Sequence, residues 1–584
     1  MADSPESREA ITAELPKPEV KDLAGDGYRT APDHESTAWP PGIPYIVGNE
    51  ACERFSFYGM KAILYAHLTT LYVLAGQVEE TAKDLATSST HLFNAGVYAL
   101  PMIGAILADR LLGKYKTILY VSLIYCAGHG VLAFVDSVEG ASQKLTIMYV
   151  GLALIAVGSG GIKPCVSANV GDQFGKGNWF RVRTIFQIFY FSVNFGSFFA
   201  TLSIPLVRKH YGAGVAFAIP GILMFLATVI FWLGRKKFVH APPKPGGKIG
   251  LLDTVSSACL FLAIGHLFFT KDQPWWLISL ISAGFLAAGL LLFSLRQRLA
   301  PDNGFLAIMF YTIGQLFAGQ PREPGQPLPE GTDAIREPRP DDGAPLQLPP
   351  RWARSRFWAP AVERYGLEAT EGPVAVLKII SVFFLISVFW ALFDQHSSSW
   401  IRQAGMMDLT LWGGQTVEAT QVPSLNPLMV MVLIPLMNLV YAGCDRIGLR
   451  TPPLARITVG MMIAALSFVT VALIQLAINA QGTGTVWFAW QIIPYVLITI
   501  AEVMVAVTAL EFAYTQAPRA MKSTTMSFLN LTVALGNVMV VLLAGLGGLS
   551  LVNFFWTFAG IMAAAGVIFG IRGYFYVQKD YPQG

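Results

Sequence analysis

The sequence predicts an all-α polytopic membrane protein in which two six-helix bundles flank an extra helical hairpin, fourteen transmembrane helices in total. Three observations lead to this fold class. Hydrophobic residues make up 54% of the 584 residues and charged residues only 13%, whereas soluble domains carry about 25% charged residues. The apolar residues form runs long enough to cross a bilayer. Basic residues recur in every second loop between these runs.

The apolar runs fall into two sets of six with a pair between them. A bilayer core about 30 Å thick requires roughly 20 apolar residues per helix. The first set covers residues 43–72, 88–112, 116–136, 145–167, 182–206 and 213–234. The pair covers residues 250–270 and 275–297. The second set covers residues 374–396, 424–445, 454–477, 487–513, 523–546 and 550–577.

Polar stretches divide the chain into five predicted segments. These are a disordered cytoplasmic tail at 1–42, a six-helix bundle at 43–236, a linker with the extra hairpin at 237–299, a cytoplasmic Pro-rich linker at 300–372, and a second six-helix bundle at 373–578. The tail lacks the basic-then-apolar order of a cleaved signal peptide. The Pro-rich linker contains QPREPGQPLPEGTDAIREPRPDDGAPLQLPP, whose composition is typical of a flexible loop.

Lysine and arginine predict the orientation of the helices, because short cytoplasmic loops carry an excess of both. Apart from Arg208 and Lys209, the loops alternate between basic and poor in basic residues. This pattern places both termini and the Pro-rich linker in the cytoplasm. The basic clusters are Arg110, Lys114 and Lys116; Lys176, Arg181 and Arg183; Arg235, Lys236 and Lys237; Arg446, Arg450 and Arg456; and Arg519 with Lys522.

Several classes of function find no support in the sequence. The net charge of +4 is spread over loops, which argues against a nucleic-acid partner. The five cysteines show no paired spacing, and the histidines lack metal-ligand spacing, so neither a disulfide framework nor a metal site is predicted. GSGGIKP lacks the lysine spacing of a phosphate-binding loop. We therefore expect no cofactor and no enzymatic activity, and the oligomeric state stays open.

The first span carries a cluster of charged residues within an apolar run, where an unpaired charge is energetically unfavourable. Glu50, Glu53, Arg54, Tyr58 and Lys61 share one helical stripe, because residues three and four apart lie on the same face. An unpaired charge near the bilayer centre costs about 2.5–3.5 kcal/mol. We therefore expect the cluster to face an internal cavity and to pair there. The alternative is a static ion-pair network, or for Glu50 a helix end at the water boundary.

Other spans carry isolated polar residues. Lys163 follows the glycine-rich GSGGI and precedes Pro164, so we expect the fourth span to unwind or kink beside a lone cation that needs an anion. Asn194, Asn426 and Glu502 also lie within apolar runs. A lone buried asparagine can instead form a helix-to-helix hydrogen bond. Because both bundles contribute polar groups, the pattern favours a central binding site between two halves.

Five motifs in order resemble those of the proton-dependent oligopeptide transporter (POT/PTR) family of the major facilitator superfamily. EACERFSFYG matches the ExxERFxYYG signature, and GSGGIKPCVSANVGDQF matches the fourth-span motif. FYFSVNFGS matches the fifth-span signature, while FWALFDQ and EVMVAVTALEFAYTQAP match two spans of the second bundle. GAILADRLLGKYK resembles the superfamily's cytoplasmic gating motif. The resemblance covers about residues 40 to 578 and implies the major facilitator fold, in the fourteen-helix form of bacterial members.

The resemblance implies a peptide-binding site built from both bundles. Arg54 and Lys163 would receive the substrate carboxylate, and Glu502 would pair with its amino terminus. Asparagines would assist these charges, and aromatic residues would surround the side-chain space. The implied substrate-binding residues are Arg54, Tyr58, Lys61, Tyr98, Lys163, Tyr190, Asn194, Trp390, Asn426 and Glu502.

The resemblance also implies residues for proton coupling and gating. The proton-coupling candidates are Glu50, Glu53, Arg54 and His91. Burial favours the protonated form of a carboxyl group and a neighbouring cation favours the carboxylate, so a group subject to both can be neutralised when its partner leaves. For His91 the alternative is a hydrated histidine at a helix end. Asp109 in the gating motif and Asp394, as a partner of Lys61, are the gating candidates.

These features predict a proton-coupled symporter that imports di- and tripeptides by alternating access through a bacterial inner membrane. Its partners would be peptides, protons and the lipid bilayer. Phe57 replaces the first tyrosine of the signature, and Leu529 stands where many bacterial members have tryptophan, which leaves the preferred ligand size open. The alternative is a proton-coupled transporter of nitrate or another small anion, because relatives of similar pattern carry such solutes.

Overall fold

The computed structural model describes residues 28–266, 273–317 and 350–578, apart from Trp412, Arg450, residues 519–520 and residues 546–548. The proline-rich stretch at 320–349 and the first 27 residues of the predicted tail lie outside the described residues.

Helices make up nearly all of the regular structure in this part of the chain. The first bundle consists of α1 (Ile43–Leu74), α2 (Glu79–Ala99), α3 (Pro101–Leu107), α4 (Lys114–Ala133), α5 (Ala141–Asp172), α6 (Val182–Tyr211) and α7 (Ala213–Leu233). Helix α3 continues α2, and a π-helical turn at Ala108–Leu112 ends this second span. Single residues separate some helices, as at Gly212, whose φ of +87° allows the sharp reversal from α6 into α7.

The segment between the bundles forms α8 (Gly247–Gly265), α9 (Trp275–Leu299), α10 (Phe305–Phe317) and α11 (Ala359–Tyr365). The second bundle consists of α12 (Leu367–Phe393), α13 (Ser399–Ala404), α14 (Leu425–Arg446), α15 (Pro453–Gln481), α16 (Ile492–Glu502), α17 (Thr508–Gln516), α18 (Lys522–Gly545) and α19 (Leu551–Tyr574). A second π-helical turn, Val503–Val507, joins α16 to α17 directly after Glu502. Such turns are frequent at functional sites.

The predicted arrangement of six, two and six spans is confirmed. Thirteen helical segments of the described chain are long and apolar enough to cross a membrane. Helix α1 adds a fourteenth segment of 32 residues, whose charged stripe makes it less apolar than the others. We call the end of the molecule at which α1 finishes and α2 begins the α1–α2 end. The opposite end, where the basic clusters around Lys114, Lys176 and Arg235 lie, is the basic end.

The extra hairpin of α8 and α9 is attached to the basic end of the second span. The Lys244 and Gly246 amides donate to the carbonyl oxygens of Asp109 and Arg110, at 2.9 and 3.1 Å. Gly250 lies so close that a Cβ atom there would be 1.8 Å from the Arg110 carbonyl oxygen. Helix α9 is exposed along most of its length. The hairpin therefore depends on these main-chain contacts for its position.

A buried ion-pair network reinforces the hairpin. Arg296 of α9 is only 2% exposed, and its guanidinium binds Asp253 at 2.5 Å and Asp302 at 2.7 Å. The second oxygen of Asp253 lies 3.7 Å from Arg110. The network therefore links both helices of the hairpin to the second span.

Part of the predicted Pro-rich linker is helical. Helices α10 and α11 enclose a small core of Ile308, Trp358 and Ala361, which Val374 of α12 completes. The Phe305 ring also meets the Phe528 ring of α18, with centroids 5.8 Å apart. Composition did not predict these helices because the neighbouring proline-rich stretch dominates the segment.

The expectation of a disordered tail is wrong for residues 28–42. Arg29 pairs with Val239 in an isolated bridge, and the His34 carbonyl accepts from the Gly177 amide at 2.9 Å. The Asn178 side chain donates to the Ala38 carbonyl at 3.0 Å. This polar segment is held by main-chain hydrogen bonds to the loops at the basic end, a contribution that composition does not reveal.

The expected unwinding of the fourth span is also wrong. Helix α5 runs without interruption from Ala141 to Asp172, with Pro164 inside it. Its glycines allow close packing instead. A Cβ atom at Gly158 would lie 2.5 Å from Tyr125 Cβ, and one at Gly160 would lie 2.5 Å from Leu100 Cβ. The small residues of GSGGI therefore bring α5 against α4 and the second span.

Candidate functional site

The charged stripe of α1 forms a buried cluster around one arginine. Arg54 Nε lies 2.6 Å from Glu50 Oε1 and 3.2 Å from Glu53 Oε2. Glu50 is 1% exposed and Glu53 is not exposed at all. The guanidinium is therefore shared by two carboxylates within the bundle, and Glu50 does not lie at a water boundary.

Lys163 of α5 lies against aromatic rings. Its Nζ is 3.9 Å from the centroid of the Tyr98 ring and 4.5 Å from that of Phe57. This nitrogen is buried, and it has no hydrogen-bond partner among the described residues. Aromatic faces stabilise a cation but leave its N–H donors unsatisfied. Lys163 is therefore able to bind an anion without first breaking an ion pair.

In the second bundle, Glu502 is held by a hydrogen bond from Asn426. Asn426 of α14 donates to Glu502 Oε2 at 2.9 Å and to the Thr499 hydroxyl at 3.1 Å. The π-helical turn follows Glu502 immediately. These contacts fix the carboxylate at the inner face of the second bundle without supplying a cation.

Residues of both bundles meet around a central cavity. The Tyr58, Tyr98 and Tyr190 hydroxyl groups of the first bundle lie close enough to Glu502 to interact with it electrostatically. A small cavity of about 30 Å³ is lined on one side by Tyr58, Lys61, Ala62, Ser197 and Thr201. Its other wall consists of His396, Ser397, Ile401, Pro423, Asn426 and Pro427 of the second bundle.

A hydrogen-bonded network closes the α1–α2 end between the bundles. Lys61 Nζ lies 3.1 Å from Asp394 Oδ1, and Asn537 donates to Asp394 Oδ2 at 2.7 Å. His91 Nδ1 lies 2.7 Å from Asn537 Oδ1, and its Nε2 lies 2.8 Å from the Ser398 hydroxyl. Lys61, His91, Asp394 and Asn537 are all at most 5% exposed. His91 is therefore part of this network and not a hydrated helix end.

Further polar contacts between the bundles lie at the same end. Arg402 binds Asp84 at 2.9 Å and also pairs with Glu80, and Lys209 pairs with Glu418. The Gln421 amide donates to the Leu202 carbonyl at 2.8 Å.

These partners and Asn537 were not predicted from the sequence. A polar residue in the apolar run LGNVMVV was the only sign of Asn537. Apart from the expected pairing of Lys61 with Asp394, nothing in the sequence indicated which charges would meet across the two bundles.

Three predicted residues, Asn194, Trp390 and Asp109, form no hydrogen bond or ion pair with these clusters in the described chain. Asn194 donates to the Tyr190 carbonyl of its own helix at 2.9 Å, which is a local bond rather than a ligand contact. Trp390 packs edge-on against Phe389 and Phe393, and its indole nitrogen is buried without a partner in the described chain. Asp109 is exposed in its π-helical turn, where Lys114 of the same motif pairs with Asp172 at 2.7 Å. Tyr190 is 39% exposed.

The described residues contain no group of three or more His, Cys, Asp or Glu side chains placed to hold a metal ion. All five cysteines are free thiols.

Comparisons with known proteins connect this arrangement to transporters. Solute carrier family 15 member 2 of Mus musculus is 31% identical over 488 residues, which are 82% of this chain and 54% of that protein. Peptide transporter family 1 of Drosophila melanogaster is 31% identical over 439 residues, 74% of this chain and 47% of that protein. This chain thus spans about half the length of these curated relatives. Both relatives are transporters by name, not enzymes.

Solved structures show the same fold over almost the whole chain. A crystal structure of an auto-inhibited POT family peptide transporter is 33% identical, with a TM-score of 0.71, and covers 93% of this chain and 99% of that chain. The crystal structure of the POT family transporter PepTSo is 36% identical, with a TM-score of 0.70, and covers 92% and 98%. The profile described as PTR2: POT family matches residues 115–290 and 368–548, more than half of the sequence. The chain belongs to the POT family and has the major facilitator fold.

Proposed function

We propose that the protein is a proton-coupled symporter that imports di- and tripeptides by alternating access across a bacterial inner membrane. The names of its relatives, which include peptide transporters, support this substrate class. Both termini are cytoplasmic in this proposal, so the α1–α2 end faces the exterior.

One observation carries the proposal: each bundle holds a buried charge that lacks a counter-charge, and the two charges have opposite signs. Within the described chain, Lys163 of the first bundle is a buried cation without a hydrogen-bonded or ion-paired anion, and Glu502 of the second bundle is a carboxylate without a cationic partner. A short peptide is a zwitterion whose termini lie about 7 to 10 Å apart for two or three extended residues. Its carboxylate satisfies Lys163 and its ammonium group satisfies Glu502.

The site can also accept peptide substrates with different side chains. Tyr58 lines the cavity and Tyr98 lies against Lys163, and both side chains combine an apolar ring with a polar hydroxyl. Such a surface accepts side chains of different chemistry because no dedicated partner has to be satisfied. The terminal charges then determine which molecules bind, and the side chain contributes little discrimination.

Proton coupling is assigned to the Arg54 cluster. While both carboxylates are ionised, they neutralise Arg54 and hold it at 2.6 and 3.2 Å. Protonation of Glu53 removes one of these interactions and leaves Arg54 available to the substrate carboxylate beside Lys163. Release of this proton to the cytoplasm restores the pairing of Glu53 with Arg54. Arg54 then binds the substrate carboxylate less tightly. One proton crossing 100 mV gains about 2.3 kcal/mol, enough to drive accumulation.

Alternating access is assigned to the contacts between the bundles. In the state described here, the network of Lys61, His91, Asp394 and Asn537 closes the exterior side. Opening that side breaks these contacts, so bound substrate and protons have to stabilise the open state by a comparable amount.

Counterflow in proteoliposomes tests the substrate class. Vesicles loaded with unlabelled dialanine should take up external labelled dialanine, and excess external trialanine should inhibit this uptake. Nitrate-loaded vesicles should show no exchange of labelled nitrate. Exchange of nitrate together with failure to exchange dialanine would contradict the peptide assignment and favour an anion transporter.

A further inference from the structure

A buried polar assembly lies behind Glu53, on the side formed by α4. Tyr125 and His129 are four residues apart on this helix and therefore face the same way. Both side chains are fully buried, with no exposed surface. The motifs that carry the proposed transport function do not include either residue.

Three contacts order the assembly. His129 Nε2 lies 2.9 Å from the Ser56 hydroxyl of α1. The His129 and Tyr125 rings are stacked, with centroids 5.2 Å apart and planes inclined by 17°. The Tyr125 hydroxyl and both carboxyl oxygens of Glu53 are buried without a hydrogen-bond partner in the described chain, and the two groups are electrostatic neighbours. The contacts from Ser56 through His129 to Tyr125 thus end at a hydroxyl group that has Glu53 as its neighbour.

The backbone around the assembly leaves little freedom for the two rings. A Cβ atom at Gly158 of α5 would lie 2.5 Å from Tyr125 Cβ, and one at Gly221 of α7 would lie 2.9 Å from His129 Cβ. Two neighbouring helices therefore approach the rings through glycines. In such tight packing, removing one ring gives the other room to rotate.

The groups that face Glu53 are few. Glu50 and Arg54 approach it along α1, Lys163 faces it from α5, and Tyr125 faces it from α4. Arg54 and Lys163 leave when substrate binds in the proposed cycle. Tyr125 does not, because its ring is enclosed and its hydroxyl has no other hydrogen-bond partner in the described chain.

We propose that Tyr125 and His129 are positioning residues for the proton-coupling carboxylate. His129, anchored to Ser56, holds the Tyr125 ring so that its hydroxyl stays beside Glu53 after the cations have moved to the substrate. A hydroxyl donor stabilises the carboxylate, which allows Glu53 to give up its proton while peptide is still bound. This inference rests on the proposed role of Glu53 but not on the identity of the cargo.

The test measures Glu53 directly. Infrared difference spectra of the full chain in nanodiscs are recorded over a pH titration, and the Glu53 band is the carboxyl signal that Glu53→Gln removes. In Tyr125→Phe the midpoint of this band should move to higher pH, by roughly half to one pH unit, because the carboxylate loses a hydrogen-bond donor. His129→Ala should shift the midpoint in the same direction by freeing the Tyr125 ring. His129→Phe keeps the stacked ring but loses the hydrogen bond to Ser56, so it should shift the midpoint less than His129→Ala.

Two matched controls separate positioning from general effects. Tyr65→Phe alters a buried tyrosine of α1 twelve residues beyond Glu53, about 18 Å along the helix, and should leave the midpoint unchanged. His67→Phe alters a buried histidine of the same helix and should do the same. Equal thermal stability of His129→Ala and His129→Phe in detergent excludes a folding defect as the cause.

Different results would contradict the positioning role, the proposed proton coupling and the peptide assignment. An unchanged midpoint in Tyr125→Phe or in His129→Ala overturns the inference, as does a shift in His129→Phe as large as that in His129→Ala. A wild-type Glu53 band that does not titrate contradicts the proposed proton coupling and the positioning role with it. Intact titration in a protein that fails to exchange dialanine contradicts the peptide assignment alone.

Discussion

At the scale of single residues, the two buried cations of the first bundle, Arg54 and Lys163, have different environments. Arg54 is held by two carboxylates, whereas Lys163 packs against aromatic rings and has no hydrogen-bond partner in the described chain. Phe57, where the family signature has tyrosine, supplies one of these rings and is fully buried. The missing hydroxyl therefore removes a possible partner of Lys163 and not a part of the cavity wall.

Glu53→Gln should abolish uphill uptake while leaving exchange intact. The amide cannot be ionised, so Arg54 stays available to substrate but no proton can be released inward. Under a pH gradient, proteoliposomes should accumulate no dialanine above the external concentration, and counterflow should continue within about twofold of wild type. Acid-driven accumulation by this variant would remove Glu53 from the coupling role.

Lys163→Gln and Glu502→Gln should lose recognition of opposite peptide ends. Wild type should bind dialanine amide and N-acetyl-dialanine about tenfold or more weakly than dialanine, since each lacks one charge-assisted bond. Lys163→Gln should no longer discriminate against the amide, and Glu502→Gln should no longer discriminate against the acetylated peptide. Competition against labelled dialanine measures both, with the exposed Lys378→Gln as control. Discrimination preserved in both variants would place the termini elsewhere.

At the scale of elements, the number of spans could be predicted from the sequence, but their ends could not. Apolar runs identify the lipid-crossing part of each helix, and all fourteen follow from this signal. Helix α2 nevertheless begins at Glu79, nine residues before the predicted run at 88, because EETAKD forms polar turns outside the bilayer. Boundaries outside the apolar core depend on capping and tertiary contacts, which hydropathy does not record.

Packing between helices also explains why GSGGI does not interrupt the fourth span. A glycine within a helix lowers its intrinsic stability, which is why the sequence suggested a break beside Pro164. The structure uses these glycines to pack α5 against α4 and the second span, and the packing stabilises a continuous helix. The partners of the site were predictable only where a motif named them, and the Asn537 and Ser398 contacts depend on how the two bundles meet.

Two glycines of α4 allow the packing argument to be tested. A Cβ atom at Gly128 would lie 2.8 Å from Ile155 Cγ1 and 2.9 Å from the Gly151 carbonyl oxygen, whereas one at Gly130 meets nothing within 4 Å. Gly128→Ala should destabilise the fold by about 1–3 kcal/mol through overpacking and lower the Tm in detergent. Gly130→Ala should be neutral or slightly stabilising. Equal Tm values for the two variants would contradict close packing between α4 and α5.

At the scale of the whole molecule, the described polar contacts between the bundles gather at the α1–α2 end. They connect α1, α2 and α6 with the helices and loops of the second bundle from Asp394 to Gln421 and with Asn537. Breaking one partner of a buried ion pair costs about 3–5 kcal/mol, which is comparable to the energy needed to reverse a two-state population. A single substitution here should therefore change which side is open.

Asp394→Asn should open the α1–α2 end. Lys61 would keep a neutral partner and lose its carboxylate, so the closed state becomes less stable. Spin labels at Gln77 and Gln415, both exposed on this end, should report a longer or broader distance distribution in a cysteine-free background. Asp136→Asn is the matched control, because Asp136 binds the Gly214 amide within the first bundle. An unchanged distribution in Asp394→Asn would mean that this pair does not set the closed state.

The attachment of the hairpin limits how the chain can be shortened. The carbonyl oxygens of Asp109 and Arg110 receive their donors from residues 244 and 246, and Asp253 lies between Arg110 and Arg296. Excising the hairpin to obtain a minimal twelve-helix version would leave two peptide oxygens and the Arg110 guanidinium without these counterparts. Any truncated derivative would need replacement donors and a new acid at those positions before its behaviour could be compared with that of the intact chain.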